Sequence, residues 1–350
     1  MKRVSVLYVL FLSVLPLSLF SCKGKGSSTT RPSATGSIYE MLVVMDNGYW
    51  NGREGQAVRE FMAADMPCMP QMEPYFTLSQ VSTGQFDNLL KPTRNILVAD
   101  INPDRYTHNK VVYAKDVYSH PQAMCRIQSP SAEAFMQCIS EYGEPIRSWF
   151  VRQEMERQGK FYRSSQNTVA EAAIRKEFGC EMLVPIDYQL VTDTADFVWA
   201  VCDKGSMRRD LVVYSYPYTD PNTFTEGYLL QKRDSLMKAR IGGAIEGSYM
   251  GTEYKHIVPI FTPISVQENA YCAEVRGLWK MYEGAAMGGP FVQHTRLDKV
   301  NQRIITAEIF IFAPGQKKRN ALRQAEAILY TLRMPQETNG TPQPPQRGEQ

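Results

Sequence analysis

The stretch RIITAEIFIFAPGQKKRNALRQAEAILYTL, residues 303–332, decides the fold. Its first ten residues are rich in β-branched and aromatic side chains, as a strand requires. Ala313-Pro314-Gly315 then interrupts the pattern. Beyond it Ala321, Leu322, Ala325, Ile328, Leu329 and Leu332 recur at helical spacing and share one apolar face. A strand that leads directly into a one-faced helix predicts a helix laid on a sheet. Three more strands precede it, at 257–266, 271–282 and 291–297. Gln267-Glu268-Asn269 joins the first two, and Asp298 to Asn301 joins the last to 303–312. Links this short make antiparallel hairpins.

The same signals run upstream. Strands are predicted at 183–191, 197–202 and 210–216, with a turn at Asp203-Lys204-Gly205. Thr168 and Glu171 read as a capping box, and Gly179 as the cap that ends that helix. Thr223 with Glu226 opens another helix, which ends near Ile241. The first half reads as strands at 38–45, 74–81, 95–101, 110–117 and 123–128. A helix fits 54–65, and a second opens at Ser129-Pro130 and restarts at Pro145. Strands followed by a helix recur near 94–158, 182–240 and 257–333, the pattern of a diverged repeat. Together these elements predict an α+β fold, antiparallel sheets covered by helices, in two halves at 38–163 and 164–333. Residues 334–350, rich in Pro, Gln and Gly, read as a disordered tail.

The N-terminus has a different character. Lys2 and Arg3 precede an apolar run at 4–20, broken by Ser13 and Pro16. Such a run is short for a bilayer span, which needs about 20 apolar residues, and suits a secretory signal over 1–21. An uncleaved N-terminal membrane helix is the alternative. Leu19-Phe20-Ser21-Cys22 resembles a bacterial lipobox, which implies acylation of Cys22 after cleavage. Residues 22–37 then make a tether, because Lys23 to Ser37 carry no large apolar side chain. As a flexible chain it would span roughly 20 Å end to end. By likeness to Gram-negative lipoproteins, Lys23 where aspartate would retain the protein argues against the inner membrane. The lack of acidic residues just after it argues against surface export. These features place the protein on the outer membrane, facing the periplasm.

The net charge of +3 is spread along the chain and gives no support to nucleic-acid binding. Cys22 apart, six cysteines remain, and none forms a C-x-x-C pair. An oxidising compartment permits disulfides, but a chain this long folds without them and free cysteine packs as a small hydrophobe. Met66, Cys68, Met69 and Met72 form a sulfur cluster suited to Cu(I). Flexible thioethers filling a gap are the commoner cause, and no cofactor is expected. Ser235-Leu236-Met237-Lys238 matches S-x-x-K without the triplets that complete an acylating site. Neither H-E-x-x-H, G-x-S-x-G nor a phosphate loop occurs.

Two glycine-rich stretches, 242–251 and 284–289, flank strands of the last sheet. Glycine lets backbone approach a ligand, and equally permits tight turns. Glu246, Tyr249, His256, Arg276 and His294 lie near these stretches, with Glu274 beside them, and are the candidate ligand-facing residues. Lys317-Lys318-Arg319 sits against the dipole of the last helix, as a solvated face or as a seat for an acidic partner.

The lipobox, Met287-Gly288-Gly289-Pro290-Phe291, and Ala313-Pro314-Gly315 leading into KKRNALRQAEAILYTL are together similar to an uncharacterised lipoprotein family of Bacteroidetes-type bacteria. The likeness spans 38–333 and implies an envelope lipoprotein with no assigned catalytic residue. The expected function is a lipid-anchored, non-catalytic module that binds an envelope protein, a glycan or a small molecule. A periplasmic hydrolase with an unrecognised active site is the alternative. Mass spectrometry of the mature N-terminus is expected to show acylated Cys22, and Cys22→Ser to release the protein from membranes. A mature chain beginning at Met1 would overturn this.

Overall fold

The computed structural model describes residues 31–338. The signal, Cys22, the first part of the tether and 339–350 lie outside the described residues. The described end of the expected tether is not a free chain. Ala34 and Thr35 donate to the carbonyls of His120 and Pro92 at 3.1 and 2.9 Å, because the backbone there finds partners beside the strands Asn95–Ile101 and Ala123–Ser129. No helix among the described residues is long and apolar enough to cross a membrane.

The first half contains β1 (Glu40–Val44), α1 (Asn47–Trp50), α2 (Arg53–Met62), β2 (Thr77–Val81), β3 (Asn95–Ile101), β4 (Lys110–Lys115), β5 (Ala123–Ser129) and α3 (Ala132–Arg163). Its sheet has the order β2-β1-β3-β5-β4. Here the structure differs from the antiparallel expectation. β1 runs parallel to β2 and β3, β3 runs parallel to β5, and only the edge strand β4 is antiparallel. Parallel strands are buried on both faces. Met41, Val43, Leu97 and Ile127 pack beneath α2 and α3, while Leu42, Val44, Ile96 and Val98 face Phe86 and Leu90.

α3 is a single helix of 32 residues that passes through Pro145 without restarting. Packing holds it there, since Ile139, Ile146 and Phe150 on either side of the proline are buried in one core. Ser131, not Ser129, caps it by accepting from the Ala134 N–H. Further along, the buried Glu154 carboxylate accepts from Arg94 at 2.7 Å and Asn95 at 2.6 Å, and lies 3.0 Å from Arg157. This fastens the helix to the end of β3.

The second half contains α4 (Thr168–Phe178), β6 (Gln189–Thr194), β7 (Phe197–Asp203), β8 (Arg208–Pro217), α5 (Glu226–Arg240), β9 (Tyr249–Glu253) and β10 (Ile260–Ser265). It continues with β11 (Tyr271–Tyr282), β12 (Gly288–Asp298), β13 (Arg303–Phe312), α6 (Arg319–Leu329) and α7 (Pro335–Thr338). Its eight-stranded sheet is antiparallel, in the order β10-β11-β12-β13-β8-β7-β6, with β9 paired to the far end of β11. The α+β class therefore stands. The last two repeat-like units share this sheet, whereas the first belongs to the parallel one.

Side chains alternate along β13 as the pleat requires. Ile305, Ala307, Ile309 and Ile311 meet α4 and α6, while Ile304 and Phe310 face α5. Gly179 ends α4 in the left-handed conformation at φ 65°. The cap at the other end of α4 is Asn167, and Glu171 instead accepts from the Val184 N–H at 3.0 Å. The start of the supposed tail is also ordered. Met334 is fully buried and Glu337 forms an ion pair with Arg296, because Arg296 and the end of β12 offer partners there. All six described cysteines are buried and free.

The basic opening of α6 has its acidic partner within the chain. The Glu73 carboxylate accepts from the backbone N–H of Lys318 at 2.7 Å and of Arg319 at 2.9 Å. It satisfies two orphan donors at the positive end of the helix dipole. Glu73 is 3% exposed, so no water replaces it. Glu73→Gln is expected to lower stability by about 2 kcal/mol in urea unfolding. Lys317→Ala, at an exposed position, is expected to change it by less than about 0.5 kcal/mol.

Candidate functional site

The length of α3 makes the site. Its first part covers the parallel sheet, and its last turns reach the second half, where the Tyr162 hydroxyl donates to the Gln324 carbonyl at 2.7 Å. Between α3, α6 and the outer face of β10 runs a groove of about 1410 Å³, with Glu274 and Arg276 of β11 at its inner edge. Ile260, Thr262 and Ile264 alternate along β10 to form part of its floor.

Charged groups converge on the adjoining strand. Arg276 on β11 donates to Glu274 through Nε at 2.7 Å and through Nη2 at 3.0 Å. It also pairs with Glu326 on α6, which accepts from Arg323 at 3.0 Å. His294 on β12 places Nε2 3.1 Å from Glu274, and the edge of Tyr330 meets its ring at 4.9 Å between centroids. His294 Nδ1 is buried without a partner. Burial pushes the Glu274 carboxyl up, but Arg276 and then His294 outweigh it and hold the group well below the usual carboxylate range. The cluster is an ion network with one side open to the groove, where Arg276 and Arg323 are lining groups. Beside it the Tyr75 ring has the Arg147 guanidinium at 4.2 Å and that of Arg323 at 5.0 Å.

The structure thus brings together two of the five candidate ligand-facing residues, Arg276 and His294, through Glu274. The other three lie elsewhere. His256 is exposed and holds Glu253 at 2.9 Å. Tyr249 stacks on Tyr282 at 5.4 Å, with the Lys238 ammonium 4.3 Å over its ring. Glu246 is exposed in the turn before β9. The glycine-rich stretches do meet, but around their own chain. A Cβ on Gly284 would lie 2.7 Å from Ser248 Cβ, and one on Gly289 would lie 1.9 Å from the Ile311 carbonyl oxygen. Six positions along β12 separate Gly288 from His294, roughly 20 Å of strand. The glycines therefore serve close packing, not the His294 cluster.

The sulfur cluster is dispersed among different environments. Met66 and Met69 belong to the core under α4 and α6, and Met72 is 85% exposed. Cys68 donates to the Arg276 carbonyl at 3.5 Å, and burial raises its thiol pKa. Among the described residues no group of three or more His, Cys, Asp or Glu is placed to hold a metal. Ser235 and Lys238 border a shallow pocket of about 270 Å³ beside Tyr249, apart from the groove. The residues missed in the sequence are the cations on the groove wall: Arg152, Lys160 and Arg163 on α3, Arg175 on α4, and Arg333. Their spacing on α3 is that of an ordinary solvated helix face, so only the tertiary placement of α4 and the end of the chain reveals them.

The chain is built of two segments that match families of unknown function. Residues 34–163 match the family model described as a domain of unknown function (DUF8532), and residues 167–331 match another (DUF4837). No curated protein matches. Among solved structures, a point mutant of the protein Mog1 matches at 8% identity and TM-score 0.29, covering 46% of this chain and 92% of that one. The Saccharomyces cerevisiae Ran-binding protein Mog1p matches at 10% identity and TM-score 0.28, over 45% of this chain and 90% of its own. The human StarD13 lipid transfer and protein localization domain matches at 10% identity and TM-score 0.21, over 41% and 88%. Scores this low carry no argument about fold or function.

Glu274 gives the site a pH signature. Its folded carboxyl lies below the usual 4.5, so the stability it contributes is complete above about pH 4.5 and lost as pH falls further. Glu274→Gln leaves Arg276 short of a partner, with an expected cost of about 3–5 kcal/mol at pH 7. Urea midpoints measured from pH 7 to pH 3 should fall less steeply in the variant than in the parent. Parallel slopes would show that Glu274 does not hold the site.

Proposed function

We propose that this protein is a lipoprotein of the outer membrane, anchored through acylated Cys22, that faces the periplasm and holds a ligand without chemically changing it. The observation that carries the binding role is the elongated groove between α3, α6 and the outer face of β10. Its α3 wall runs from Glu144 to Arg163, about 28 Å at the helical rise of about 1.5 Å per residue. A recess of that length, with charged groups already fixed by partners on its floor, suits recognition of an extended ligand. The tether supports the address: with Ser33 and Thr35 bridged to the folded part, the shorter remaining chain would hold that part within less than about 20 Å of the lipid surface.

Photo-crosslinking in intact cells tests the reading. A photoreactive residue at Val151 or Ile264, in the groove, is expected to give adducts that the same residue at Val191 does not. Equal labelling from all three positions, or none from the groove, would overturn the binding role. Mass spectrometry of the groove adducts would identify the bound class directly.

A further inference from the structure

We infer, on the reading of the groove as a binding site, that its ligand is an acidic glycan chain, with carboxylate or phosphate groups seated at the α4 end. Five cations line the groove from three parts of the chain: Arg152, Lys160 and Arg163 along α3, then Arg175, then Arg333. All five are exposed, and none forms an ion pair among the described residues. The carboxylates nearby answer them only in part. Glu156 pairs with Lys115, Glu171 lies within the field of Arg175 but accepts from the Val184 N–H, and Glu181 sits opposite Arg333 in an isolated bridge, so cations still outnumber acids on this wall. An excess of one sign along a wall costs stability, and the ends of α3 and α4 do not require this many cations. An anion along the groove would relieve that repulsion.

Hydroxyl-rich chemistry is matched by the rest of the lining. Gln166, Gln267, Thr262, Ser148 and Thr331 supply amides and hydroxyls along the trough. Two of the lining groups are buried and unpartnered, Gln267 Oε1 and Arg323 Nε, and Arg323 is only 4% exposed. A buried acceptor and a buried donor left open are costly, and a sugar hydroxyl reaches these two only if the side chains around them shift. The half-buried Tyr330 ring adds some apolar surface to the trough. A lipid headgroup would satisfy the cations alone and leave the length of the groove unused.

The test uses the mature, full-length protein in neutral detergent, with fluorescently labelled hexagalacturonate as probe. Binding is expected, weakening as salt rises. Lys160→Glu/Arg163→Glu/Arg175→Glu should reduce affinity roughly tenfold or more, with the control Lys110→Glu/Lys299→Glu/Lys317→Glu close to the parent. If the groove triple fails to fold, Lys160→Gln/Arg163→Gln is expected to show a smaller loss in the same direction. Equal loss in both triples would mean general surface attraction and overturn the inference. Maltohexaose binding as tightly would remove the acidic requirement and overturn it while leaving a glycan-binding groove. Preference for phosphatidylglycerol vesicles, or for inorganic phosphate alone, would also overturn it. Absence of any binding would refute the glycan class, whereas the crosslinks at Val151 and Ile264 independently decide whether the groove binds at all.

Discussion

The Glu73 carboxylate at the start of α6 is the contact on which the arrangement of the two halves rests. Helices ordinarily satisfy their first N–H groups with a neighbouring serine, threonine or aspartate. α6 begins instead with Lys318, whose side chain caps nothing, and takes its acceptor from a residue 245 positions away. Arg319 extends the same junction by donating to the Pro74 carbonyl at 3.0 Å and to Thr77 at 3.1 Å. Thr77 opens β2, so the edge of the parallel sheet is tied to the helix that covers the antiparallel one. The spacing between α3 and α6, and with it the width of the groove, follows from that tie and from the Tyr162–Gln324 bond.

The antiparallel sheet carries a buried ion pair on each face, and the two pairs differ in one respect. On the α5 face Arg233 is bonded to Glu308 at 2.6 Å and to Thr252 at 2.9 Å, with Phe291 against its guanidinium, and every part of it is sealed. On the α6 face Arg276 has the same kind of partners, but 11% of its side chain stays accessible, at the groove. Buried ion pairs contribute little net stability against apolar replacements, yet breaking one is expensive. The sealed pair fixes how α5 lies on β13. The open pair fixes the floor of a site, because Arg276 cannot turn toward a ligand without abandoning Glu274 and Glu326.

Much of this is legible in the sequence. The limits of β11 and β13, the apolar face of α6 and the cap at Gly179 all follow from local chemistry. The parallel sheet shows only faintly, in MLVVM at 41–45 and ILVA at 96–99, continuous apolar runs that mark strands buried on both faces. β9 is hidden because its residues lie in a glycine-rich stretch that reads as irregular chain. Arg276 and His294 stand out as isolated polar residues in strands, but not Glu326 and Arg323, which look like an ordinary helical ion pair three residues apart. Their burial is set by α6 lying on β12 and β13, and no local pattern encodes that.

The groove exists because the helical layer ends before the sheet does. α4 covers β6 and β7, and α6 covers β8, β12 and β13 and reaches β11 through the Glu326–Arg276 pair, which leaves β10 as the exposed strand at that end. An uncovered sheet end invites either aggregation or a partner. Here the edge itself is discouraged, since Pro263 in β10 removes a backbone donor and the strand is six residues long. The face is treated differently: its residues alternate between isoleucine and threonine, and the charged wall of α3 stands opposite. A sheet end blunted along its edge yet furnished across its face selects against strand addition and for ligands that lie on side chains. That asymmetry, more than any single residue, is why the groove reads as a place of recognition.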